Sequence, residues 1–124
     1  MQIYGIGVDS TTISRIEKSM ARPGFLEKCF GAAEQTLFAH SRAETIAANF
    51  AAKEALSKAL GTGLTGFLFS DVQVLRKESG APYFAFSGSI AQMITEQKLT
   101  AHLSLTHEGG YATAFVILEK DTHL

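Results

Sequence analysis

Stepping by four residues from Ile46 leads to Phe50, Glu54 and Lys58, a helical stripe that begins apolar and ends in an acid and a base. A carboxylate at the edge of an apolar face needs a compensating cation, and either Lys58 or a bound metal supplies one. An ordinary Glu→Lys helix pair, worth ~0.3–0.5 kcal/mol, accounts for the same spacing. Asp9 closes the apolar run 3–8 (IYGIGV) just before a hydroxyl-rich segment. Its side chain therefore stands at the mouth of a sheet, as a ligand-facing group or as a helix cap. Two carboxylates from separate elements suit Mg²⁺, which takes one or two protein carboxylates, keeps waters and shares substrate phosphate oxygens. The glycines of Gly61-Thr62-Gly63 complete no phosphate-binding motif and read equally well as a helix stop. His107 opens a hairpin turn, placed either to donate to an anion or to decorate the turn. His40, His102 and His123 have no metal-ligand spacing and carry no assigned chemistry. Arg15, Lys18 and Arg22 lie near Met20 and Phe25, a basic and apolar mixture that suits an acidic protein surface or a solvated helix face.

These residues need elements to hold them. The run 3–8 leans to β-strand, and Ser10, Thr11, Thr12 and Ser14 offer caps for a following helix, with Ser14 and Glu17 spaced as a capping box. Arg22-Pro23-Gly24 breaks that helix before the segment 25–30, and a turn or short helix is expected around 34–39. The longest helical signal, 42–60, is rich in alanine and stops at Gly61. Its small side chains admit close packing, so it should be central. Residues 71–77 alternate as a half-buried strand, Ser79-Gly80-Ala81-Pro82 turns, and 83–86 returns. Ser87 or Ser89 can cap a helix whose Ile90, Met93, Ile94 and Gln97 share a face. A hairpin over 102–118 closes the chain. The expected class is α+β, a mainly antiparallel sheet packed with a long central helix, in one domain spanning 1–124.

Composition narrows the field. The chain has 124 residues, 46% of them hydrophobic and 19% charged, which places it among ordinary globular domains. A net charge of −1 supplies no global basic field, so nucleic acid is not an expected partner and any anion must be held locally. The lone Cys29 forms no internal disulfide, there is no apolar run of about 18 residues, and the first residues lack the pattern of a signal peptide. A cytoplasmic protein without membrane association is the expectation.

Three blocks in order, Gly5-Ile6-Gly7-Val8-Asp9, the stretch 50–63 (FAAKEALSKALGTG), and Leu103-Ser104-Leu105-Thr106-His107-Glu108 with Tyr111-Ala112, resemble the holo-acyl-carrier-protein synthases, the short class of 4′-phosphopantetheinyl transferases. The resemblance covers nearly the whole chain, and the block at 50–63 is its most specific part. It implies transfer of phosphopantetheine from coenzyme A to a serine of apo acyl carrier protein, in fatty acid biosynthesis, with release of adenosine 3′,5′-bisphosphate. It implies Mg²⁺ held by Asp9 and Glu54 against the coenzyme A pyrophosphate, with Lys58 stabilising charge there and Lys53 as a second phosphate-side contact. Asp9, Glu54 and a metal-bound water remain alternatives for the group that takes the serine proton. Ser57, Gly61, Gly63, Pro82, Thr106 and His107 would line the coenzyme A site.

The resemblance further implies a homotrimer with sites between subunits, and a carrier-protein docking surface at Arg15, Met20, Arg22 and Phe25. Three positions depart from the family's usual residues: Ser10 replaces an aliphatic residue, Asn49 an arginine, and Ala81 a lysine or arginine. The last two remove charges, so altered coenzyme A contacts are expected. A noncatalytic module that binds coenzyme A or the carrier protein is the alternative.

Overall fold

A computed structural model of the chain describes residues 1–62 and 66–122. The elements are β1 (Gln2–Thr12), α1 (Ile13–Met20), α2 (Phe25–Cys29), α3 (Ala32–Phe38), α4 (Ala43–Leu60), β2 (Val72–Arg76), β3 (Pro82–Phe86), α5 (Gly88–Glu96), β4 (Leu99–Glu108) and β5 (Tyr111–Lys120). A 3₁₀ turn at Phe69–Asp71 leads into β2. One sheet has the order β1-β5-β4 and a ribbon pairs β2 with β3, every pairing antiparallel. The α+β expectation holds, with α4 as the central helix.

Alanine lets α4 lie directly on β1, and two glycines make the contact possible. A Cβ at Gly5 would stand 1.9 Å from the Ala59 carbonyl oxygen, and one at Gly7 equally 1.9 Å from that of Ala55. Gly61 ends the helix in the left-handed region at φ 77°, donating to the Ser57 and Lys58 carbonyls. Leu56, Val72, Val74, Ile90, Val116 and Leu118 fill the space between helix, ribbon and sheet. Each such side chain contributes roughly 1.5–3 kcal/mol by leaving water. A second cluster around Ile16, Phe30 and Ile46 fastens α1 to α3 against the start of α4, with Phe30 and Phe38 packed edge to face.

Two local expectations are corrected. The hydroxyls expected to cap a helix continue β1 through Thr12, where Ser10 meets Thr113 across the strands at 2.7 Å. Threonine's β-branched side chain suits a strand, and the cross-strand hydroxyl bond adds to that preference. The Ser14–Glu17 capping box does not form, because Ser14 lies inside α1 and Thr12 stands at the N-cap. The hairpin also begins earlier and turns later than expected: β4 runs through His107 and Glu108, leaving only Gly109 and Gly110 in the turn, at φ 60° and 82°.

The face of the sheet turned away from α4 is apolar and uncovered. Ile3, Ile6 and Val8 of β1 are 63%, 59% and 54% exposed, beside Phe115 at 43%. Val8 pairs with Phe115 and Ile6 with Ile117, so these side chains form one continuous surface. Among the described residues no helix is long and apolar enough to cross a membrane.

Candidate active site

Alternation along β1 turns Gly5, Gly7, Asp9 and Thr11 toward α4. The glycines carry the strand along the helix, and Asp9 is the first side chain of that row to reach past it. Lys58 donates to the Val8 carbonyl at 2.9 Å and to Asp9 Oδ1 at 3.3 Å, while Thr11 donates to Asp9 Oδ2 at 3.0 Å. Both oxygens of Asp9 are thereby oriented. Glu54 lies one turn before Lys58, and its carboxyl is held above the ordinary value by partial burial and then by the Asp9 charge, against the lowering pull of Arg15 and Lys58. Asp9, Glu54, Lys58 and Arg15 thus form one cluster at the edge of β1, α1 and α4.

Two oxygen-donor carboxylates that repel each other at a solvent-facing edge are a donor set suited to Mg²⁺, which fills its remaining positions with water and phosphate oxygens. Among the described residues no group of three or more His, Cys, Asp or Glu is assembled for a metal. The arrangement fits a shared ion rather than an all-protein cage.

Lys53 belongs to a different structure, which corrects its expected phosphate contact. It is fully buried, and its ammonium donates to Glu34 Oε1 at 2.7 Å, the Phe69 carbonyl at 2.8 Å and the Val72 carbonyl at 2.6 Å. All three donors are used, leaving none for a phosphate. Burial pulls its pKa below the ordinary lysine value, with Glu34 opposing the shift. Glu34 also accepts from the amide side chain of Asn49 at 2.9 Å and from the Val74 N–H at 3.2 Å. Ser57 is corrected as well: its buried hydroxyl donates to the Lys53 carbonyl at 3.1 Å and is not presented to a ligand.

Pro82, Thr106 and His107 meet in a groove of about 230 Å³ beside the opening turns of α4, with Glu44, Thr45 and Arg76 in its walls. Arg76 was not singled out from the sequence. Its guanidinium donates to Asn49 Oδ1 at 2.9 Å, so a cation from β2 reaches the Asn49 position on α4. The groove does not join the Asp9 cluster within one chain. Of the groove's α4 residues, Thr45 leaves the helix opposite Glu54, whereas Glu44 and Ala48 leave it at intermediate angles. Gly61 stands exposed at the end of α4 near Lys58, and Gly63 lies outside the described residues.

The expected docking residues follow α1 and its exit. Arg15 is exposed and faces Glu54; Arg22 is exposed and donates to Ser19 Oγ at 2.8 Å. Phe25 is half-buried against Phe30 and Phe50, and Met20 packs onto the same cluster. Arg22, Phe25 and Lys28 border a surface hollow with Cys29, whose thiol burial pushes upward in pKa.

A small α+β chain whose central helix pairs an acid and a base with an aspartate of the neighbouring strand matches the family model of the 4′-phosphopantetheinyl transferase superfamily over residues 5–116. The chain belongs to that superfamily. It is 46% identical to a holo-(acyl-carrier-protein) synthase of Clavibacter michiganensis subsp. michiganensis, the match covering 96% of this chain and 98% of the relative. Among solved structures it resembles the Neisseria meningitidis holo-(acyl-carrier-protein) synthase, with TM-score 0.88, 30% identity and coverage of 96% and 100%. It also resembles the Bacillus anthracis enzyme in complex with coenzyme A, with TM-score 0.81, 33% identity and coverage of 98% and 100%.

Proposed function

We propose that the chain transfers 4′-phosphopantetheine from coenzyme A to a serine of apo acyl carrier protein, a modification that fatty acid synthesis in the cytoplasm requires. The observation that carries this reading is the apposition of Asp9, Glu54 and Lys58 on a strand and a helix that glycine and alanine hold together. Asp9 and Glu54 would hold Mg²⁺, which when bound would supply positive charge to the pyrophosphate during in-line displacement.

The serine oxygen forms a bond to the phosphorus that carries pantetheine, and the bond from that phosphorus to the adenosine bisphosphate breaks. Lys58 sits at the same edge and balances negative charge on the departing phosphate. The serine proton needs an acceptor. Asp9, Glu54 and a metal-bound water are the alternatives for that acceptor. Arg15, Met20, Arg22 and Phe25 offer charge and apolar surface to an acidic carrier protein from the side of α1.

The nucleotide groove shares no lining residue with the carboxylate cluster, which favours a site completed by a second copy. The uncovered apolar sheet face supplies a surface for that association, and a closed homotrimer satisfies both features. Intact-mass analysis of apo acyl carrier protein incubated with this protein and coenzyme A, with and without Mg²⁺, tests the reading. A metal-dependent gain of one phosphopantetheine is expected; coenzyme A binding without any gain would leave a noncatalytic binding module.

A further inference from the structure

The side chains of β1 that face α4 follow in the order Gly5, Gly7, Asp9, Thr11. The glycines admit the helix and give Asp9 no side-chain neighbour on their side of the row. On the other side stands Thr11, only 3% exposed, whose hydroxyl donates to Asp9 Oδ2 at 3.0 Å. Opposite them on β5 are Ala114 and Ala112, which have no polar side-chain atom to compete for either group.

The two oxygens of Asp9 are held to different degrees. Oδ2 is tied to a hydroxyl on a β-branched side chain, stiff at its first torsion and packed in the interior. Oδ1 meets the Lys58 ammonium at 3.3 Å, beyond the usual hydrogen-bond range, and that lysine side chain is 55% exposed. A flexible chain in water gives way more readily than a buried threonine. Oδ1 is therefore the oxygen that can turn to a cation at the solvent-facing edge.

Presentation of a single oxygen selects among cations. Mg²⁺ demands near-ideal octahedral geometry, whereas Ca²⁺ takes more oxygens in looser arrangements and accepts a carboxylate through one oxygen or both. A carboxylate tied back at Oδ2 suits the first ion and offers the second less. Resting on the reading that Asp9 and Glu54 hold the metal of the transferase, we propose that Thr11 is a positioning residue for Asp9: by holding Oδ2 it directs Oδ1 to a divalent cation, and so sets the affinity for Mg²⁺ and the preference for Mg²⁺ over Ca²⁺. Thr11 itself touches no metal; it acts through Asp9, as groups behind metal ligands commonly do.

The test is calorimetric titration of MgCl₂, and separately of CaCl₂, into the assembled protein with coenzyme A present. Thr11→Val keeps the branched shape and removes the donor; Thr11→Ser keeps the donor and removes the methyl group. Thr11→Val should bind Mg²⁺ about tenfold more weakly or worse, the usual scale for losing a group behind a metal ligand, and should lose less affinity for Ca²⁺. Thr11→Ser should stay close to the unaltered protein for both ions. A merely structural threonine predicts the reverse order, since Thr11→Val preserves the packing and Thr11→Ser opens a gap. Unchanged Mg²⁺ affinity in Thr11→Val, an equal loss for both ions, or a loss in Thr11→Ser as large as that in Thr11→Val overturns the proposal. Should Thr11→Val fail to fold, Thr11→Ala is compared with Thr11→Ser, neither having the methyl group: weaker Mg²⁺ binding in Thr11→Ala alone supports the assignment, and equal affinities overturn it. The carrier-protein mass assay on the unaltered protein reports separately on the transferase reading.

Discussion

Glu54 is the residue at which stability and function pull in opposite directions. Burial first, and the Asp9 charge second, raise its pKa above the ordinary value near 4.5. For an acid raised on folding, the stabilising contribution is complete below the unfolded value and is lost as pH climbs through the folded one. Glu54→Gln should therefore melt higher than the unaltered protein at pH 7 in the absence of divalent metal, with the difference vanishing near pH 4, as followed by scanning calorimetry. The same variant should lose transfer activity by about 100-fold or more, measured by carrier-protein mass gain, because a metal ligand is gone. Adding MgCl₂ should raise the melting temperature of the unaltered protein and leave that of Glu54→Gln nearly unmoved. The Glu54–Lys58 stripe was legible in the sequence because both residues sit on one helix at a fixed spacing. Lys53 was not, since its partner Glu34 lies 19 positions earlier on another element and only the tertiary fold shows that its ammonium is used up.

The elements that mattered most were those with a local signal. Alanine content and Gly61 placed α4 within a residue of its true start and at its true end, and alternation placed β2. Where local and cross-strand preferences compete, sequence alone misleads: Ser10, Thr11 and Thr12 suit a helix cap, and β5 recruits them into β1. The β1–α4 contact sets how Asp9 meets Glu54. Gly7→Ala would drive a methyl group into the Ala55 carbonyl and push the strand outward. It should cost about 3 kcal/mol in urea unfolding and lower transfer activity through displacement of Asp9. Lys53→Met strands the buried Glu34 charge and should cost about 3–5 kcal/mol in the same measurement.

For the whole molecule, the decisive feature is that the two halves of the proposed site share no residue within one chain. Glu54→Gln and His107→Ala proteins, each weak alone, should regain activity when unfolded and refolded together, to roughly a quarter of the unaltered level if each site takes one half from each of two neighbours. Separate additions without mixing of chains should regain none. Val8→Glu, which places charge on the uncovered sheet face, should shift sedimentation toward the monomer. That face carries a consequence for the cell as well. Where an enzyme works only as an assembly, output below the assembly threshold rises more steeply than protein copy number. Halving the dose of this gene would then remove more than half of its activity, and carrier-protein modification would behave as a threshold on expression.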